Sequence, residues 1–107
     1  MKTVNRGFIS ITPTPLFIAW ALKYSDEVQF FTNNPEPSIY LVEDDFWEDA
    51  IILEKYFKKI AEAEFKAICS DEEKFPIISN EDEFILYFST SLGTIVHDLL
   101  KENIERE

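Results

Sequence analysis

Residues 44–68 read DDFWEDAIILEKYFKKIAEAEFKAI, and this stretch decides the fold. Phe46, Ala50, Leu53, Phe57, Ile60, Ala61 and Ile68 recur at three- and four-residue spacing, with Glu64 as the polar exception and Phe65 beside it. That is the period of one helix face. Asp44 or Asp45 stands where an N-cap oxygen is wanted, and acidic residues suit the positive end of a helix dipole. The spacing predicts a helix over Phe46–Ile68, roughly 34 Å long at 1.5 Å per residue. Glu54–Lys58 and Glu62–Lys66 are placed to pair across one turn in the favourable order. Trp47, Ile52 and Tyr56 fall off the main stripe. The helix is therefore apolar on more than one side and is expected to lie between layers or against a partner.

Working outward, Ser38–Val42 (SIYLV) is β-branched and aromatic with polar residues at both ends, which predicts a strand. Ser25–Pro37 is turn-rich and reads as a connection, with Val28–Phe31 as a short strand inside it. Gly7–Thr12 (GFISIT) alternates with a period of two, again a strand. Thr14 offers an N-cap hydroxyl and Pro15 suits the first helical position, so a helix is expected over Pro15–Tyr24 with Phe17, Ile18, Ala21 and Leu22 inward.

Downstream, Ser70 with Glu73 forms a capping box for one turn ending near Phe75-Pro76. Asn80 with Glu83 opens a helix through Phe84, Ile85 and Phe88 that Gly93 breaks. Thr94–Leu99 reads as a last strand with Ile95, His97 and Leu99 on one face, and Lys101–Glu107 as a charged tail. Strands and helices interleave, but the strands are too few to wind a parallel sheet doubly. The expected class is α+β, one domain over residues 1–107. It has a three- or four-stranded, mainly antiparallel sheet with one long helix and shorter helices packed on it.

Composition narrows the function classes. Twenty-one acidic residues against ten basic ones give a net charge of −11. Nucleic-acid backbones and anionic membranes are repelled by such a chain, so neither is an expected partner. No stretch approaches the roughly 20 apolar residues of a membrane span. Lys2 and Arg6 precede an apolar run at Pro15–Leu22, and Ala19-Trp20-Ala21 mimics a cleavage box. Pro13 and Pro15 interrupt that run, however, and it is short for a signal core. The single cysteine, Cys69, has no intrachain partner, and a reducing cytoplasm is the simplest setting.

Materials for catalysis are scarce. The lone imidazole, His97, would need Ser89, Thr90, Ser91 or Cys69 within hydrogen-bond reach to act as a base. Asp98 cannot orient it, because adjacent strand residues point to opposite faces. His97 therefore reads as an ordinary strand histidine, and Cys69 as a buried, inert thiol. The richest cluster is Glu43 to Asp49 (EDDFWED). Its carboxylates could hold a hard cation, but it lacks the spacing and the glycine of a calcium loop, and the helix dipole accounts for their placement. No cofactor and no metal ligand is assigned, and no glycine-rich phosphate loop or C-x-x-C occurs. Aromatic anchors ringed by charge are what interface hot spots look like. The candidate interface is accordingly Asp44, Asp45, Trp47, Glu48 and Asp49.

Several segments resemble a family of small acidic bacterial proteins of unknown function. They are Asn5-Arg6-Gly7 ahead of a strand, Pro15–Ala21 (PLFIAWA), Ser38–Glu43 (SIYLVE), Glu64–Pro76 (EFKAICSDEEKFP) and Tyr87–Leu99 (YFSTSLGTIVHDL). The family carries Trp where Ile68 and Phe75 stand here and His where Gly93 stands. The resemblance implies a cytoplasmic bacterial protein and supplies no site residues.

The expected function is a non-enzymatic acidic domain that binds or regulates a basic protein partner, for instance an immunity-type inhibitor or a small accessory subunit. The alternatives are a small carboxylate- or metal-dependent hydrolase, and a structural domain that forms oligomers.

Overall fold

The computed structural model of the chain describes residues 2–25 and 35–100. In chain order the elements are β1 (Lys2–Val4), β2 (Gly7–Pro13), α1 (Pro15–Ala21), β3 (Ser38–Val42), α2 (Asp49–Lys66), α3 (Glu81–Tyr87), β4 (Phe88–Gly93) and β5 (Val96–Asp98). A single 3-10 turn, Glu72–Lys74, lies between α2 and α3. The architecture is α+β, with a three-stranded antiparallel sheet in the order β3-β2-β4 and a two-stranded β1-β5 sheet. Val28–Phe31 and Lys101–Glu107 lie outside the described residues.

The two sheets are one ladder with a break in it. Val4 pairs with Val96 in the first and Phe8 with Gly93 in the second, so Asn5, Arg6 and Gly7 stand opposite only Thr94 and Ile95. One extra residue on one strand is the arithmetic of a bulge, which interrupts pairing and re-aims side chains. The expected strand over Thr94–Leu99 is thus shorter, Val96–Asp98, and its partner Lys2–Val4 is a strand that alternation alone does not reveal.

Alternation along β2 sends Ile9 and Ile11 inward, where both are fully buried, with Tyr40, Val42, Phe88 and Leu92 on the same face. α2 covers this face with Ile52, Leu53, Phe57, Ile60, Ala61 and Phe65. Phe65 is the hub of the core. Phe17, Trp20, Phe75, Tyr87 and Phe88 all have ring centroids within 5.8 Å of its own. Trp20 finds a partner for its one polar atom by donating Nε1–H to the Lys74 carbonyl at 2.9 Å, as a buried indole requires. No helix among the described residues is long and apolar enough to cross a membrane.

Several local expectations are corrected. The long helix starts at Asp49 with Glu48 at the N-cap, so Asp44, Asp45 and Phe46 precede it. Extended backbone at Glu48 (φ −125°, ψ 127°) holds the acidic run outside the helix, Ala50 is exposed, and Ile52 takes a core place. The Glu54–Lys58 and Glu62–Lys66 pairs do not close; Lys58 lies over the Phe57 ring instead. α1 ends at Ala21, leaving Leu22 exposed and Trp20 inward. Thr14 is the N-cap residue of α1, but its hydroxyl accepts no cap hydrogen bond and instead donates to the Leu86 carbonyl at 2.7 Å.

Asp71, not Ser70, caps the 3-10 turn, accepting from the Glu73 N–H. Asn80 caps α3 as its sequence predicts, with Oδ1 accepting from the Glu83 N–H at 2.9 Å. The helix stops at Tyr87, one residue before Phe88 becomes extended, and Ser89-Thr90-Ser91 continues as strand. Those residues are weak helix formers, and β2 offers them a ladder from Phe8 to Pro13.

Candidate functional site

The loop from Glu43 to Glu48 joins the end of β3 to the start of α2. Its position follows from a close approach at Gly7. A Cβ there would sit 2.7 Å from the Glu43 carbonyl oxygen, 2.8 Å from the Phe46 ring and 2.9 Å from the Gly93 carbonyl oxygen. The bare α-carbon lets Phe46 turn inward, where it packs against the core while its neighbour turns out. That neighbour, Trp47, is 98% exposed.

Glu43 fixes the loop to α2. Its carboxylate accepts from Lys55 Nζ at 2.5 Å and from the Tyr56 hydroxyl at 2.6 Å. These two donors stabilise the charged form, and they hold the Glu43 carboxyl down at about 2. The same contacts raise Lys55 and Tyr56 above their ordinary values. About two turns further along α2, Glu64 accepts from Tyr40 at 2.5 Å and from Ser38 at 3.3 Å. Burial first, then the Glu64 carboxylate, push the Tyr40 phenol far above its usual range. α2 thus holds β3 at both ends.

Beside the Glu43 clamp lies an open cleft of about 630 Å³, lined by Asn5, Arg6, Leu41, Val42, Glu43, Asp44, Asp45 and Tyr56. Asn5 and Arg6 reach it from the bulge between β1 and β2, and the Arg6 guanidinium donates back to the Asn5 carbonyl at 2.7 Å. Of the five residues expected to form an interface, Asp44 and Asp45 line the cleft, whereas Trp47, Glu48 and Asp49 do not. All five are exposed.

The partners that complete the site are non-local. Lys55 and Tyr56 follow Glu43 by 12 and 13 residues, and nothing in helical or strand periodicity links them to it. The Asn5-Arg6-Gly7 run is the only local hint, as a glycine after two polar residues marks a break in a strand.

The other sequence candidates fall elsewhere. His97 is exposed on β5, with Nδ1 3.5 Å from the Thr3 hydroxyl. Cys69 is half-buried rather than buried, and its Sγ lies 3.9 Å from the Asp71 carbonyl. Among the described residues no group of three His, Cys, Asp or Glu side chains is arranged to hold a metal. No family model matches the chain, and no match is found among the curated proteins or the solved structures.

Proposed function

We propose that the chain is a non-enzymatic acidic binding or regulatory domain whose partner is a basic protein, met through Asp44, Asp45, Trp47, Glu48 and Asp49. The observation that carries this reading is Trp47, almost wholly exposed in a loop with acidic residues on both sides. An indole left in water is costly surface that a partner can bury. The carboxylates around it would steer a cationic surface into contact. Asp44 and Asp45 extend the acidic surface into the cleft next to the clamp. The hydrolase alternative gains no support from Glu43, which is fully ionised at neutral pH and committed to Lys55 and Tyr56. A general acid needs a raised value, not a lowered one. The family resemblance favours a bacterial cytoplasmic setting for the encounter.

The test is affinity capture of the intact protein from lysate of its own source cells at low and high salt, with proteins identified by mass spectrometry. A stoichiometric basic partner is expected at low salt, lost at high salt, and absent with Trp47→Ala or with Asp44→Lys/Asp45→Lys. Capture that survives both variants would refute the reading, as would a preparation free of partner at low salt as well as at high salt.

A further inference from the structure

β3 is an edge strand. β2 takes one side of it, and among the described residues no strand takes the other. In an antiparallel ladder alternate residues turn their N–H and C=O groups away from the partner, so β3 presents a row of backbone donors and acceptors outward. Natural proteins usually blunt such an edge with charge, proline or a bulge. Ser38–Val42 has none of these, and its pairing with β2 runs unbroken from Gly7↔Val42 to Ile11↔Ser38. On the face away from the helices, Ile39 and Leu41 remain 58% and 49% exposed. The opposite edge, β4, offers Ser91 and Gly93 at the matching positions, across Ser10 and Phe8, and no comparable apolar surface.

We infer that the β3 edge accepts an extended segment of a basic protein as an added strand. The inference rests on the basic-partner reading above and gives its binding mode. Main-chain hydrogen bonds would supply affinity, and alternate apolar side chains would lie beside Ile39 and Leu41. The charge of the occupant follows from both ends of the strand. Glu36 precedes it, Asp44 and Asp45 follow it, and all three are exposed. A second copy pairing antiparallel and centred on Tyr40 would set Asp44 of one chain against Glu36 of the other. Like charges directly opposite are destabilising, so the strand ends disfavour self-pairing. Lys or Arg at those positions of an incoming segment turns the same carboxylates into attraction.

The experiment selects random displayed peptides on the intact protein at low salt, then titrates the enriched peptides into isotope-labelled protein by NMR. The expected peptides alternate apolar residues and end in Lys or Arg, and they shift the amides of residues 38–42. N-methylation of alternate peptide amides, which removes ladder donors, is expected to weaken binding about tenfold or more.

Basic peptides that shift only residues 44–49 and tolerate N-methylation overturn strand addition and leave the acidic-surface reading standing. Peptides that pair with β3 without any preference for Lys or Arg overturn the basic occupant and count against that reading. Absence of enrichment overturns strand addition, and the capture experiment then judges the acidic surface alone. A protein that is dimeric before peptide is added, with residues 38–42 already protected from exchange, overturns the proposal in favour of self-pairing.

Discussion

On the inner face of the β3-β2-β4 sheet, Ile9, Ile11 and Phe88 have no exposed surface; on the outer face, Phe8 is half-buried and Ile39 and Leu41 lie open to solvent. Both faces come from one alternation along the same strands, and α2 packs on only one of them. Stability is therefore concentrated on the inner face, in rings that meet around Phe65. Among the described residues, the outer face keeps exposed apolar side chains and the β3 edge has no neighbouring strand.

That asymmetry is open to direct attack. Phe88→Ala or Phe65→Ala is expected to cost about 3–5 kcal/mol in urea unfolding, because each removes a buried ring and leaves a cavity. Ile39→Thr and Leu41→Thr are each expected to stay within about 0.5 kcal/mol, as substitutions on an exposed strand face that keep β-branching or strand propensity. An outer-face loss as large as the inner one would break the comparison and mean that something covers that face.

The glycines sharpen it. A Cβ on Gly7 would meet two backbone oxygens, at 2.7 and 2.9 Å, whereas a Cβ on Gly93 would meet the Phe8 ring, at 2.5 Å. The half-buried ring can swing; the backbone cannot. Gly7→Ala is expected to cost about 1–3 kcal/mol by overpacking, with Gly93→Ala costing less. Next in size is Tyr40→Phe, which removes the hydroxyl joining β3 to Glu64 and is expected to cost about 1 kcal/mol. Thermal or urea unfolding reads both. Equal costs at the two glycines would mean that the loop at Glu43 gives way as easily as a side chain.

The elements were legible in the sequence where one local pattern governed them. β2, β3, α2 and the Asn80 cap of α3 follow from period, propensity and capping chemistry within a few residues. β5 was legible within the longer strand expected over Thr94–Leu99, whereas β1 is a three-residue strand, too short for alternation to register, and pairs because the bulge lets the β2-β4 ladder resume. β4 was hidden because Ser89-Thr90-Ser91 lacks apolar alternation, so its strand character comes from pairing with β2. The acidic segment was legible as composition, and the spacing separated Phe46 from Trp47, but its place in a loop ahead of α2 was not legible. Phe46 turns in over Gly7 and Trp47 turns out, and that choice depends on a strand some forty residues earlier. The Glu43 clamp depends on how α2 lies across β3, which no spacing encodes.

The smallest expected effect lies where the two faces meet, at Glu43. Lys55 and Tyr56 hold its carboxyl at about 2, against an ordinary 4.5. Between those values the unfolded chain binds a proton that the folded chain refuses, so stability falls with the pH. The contribution is complete above 4.5 and is lost progressively as the pH drops towards about 2. Because the pair is at the surface, it is screened by salt and modest in size.

Glu43→Gln is therefore expected to flatten the acid limb of stability against pH in that window alone, and high salt should shrink the difference from the parent protein. Urea unfolding across a pH series measures both. An unchanged acid limb would mean that the clamp does not hold in solution. The end of β3 would then be tied to the inner-face helix only through Tyr40 and Ser38, and the edge would be looser than the structure shows.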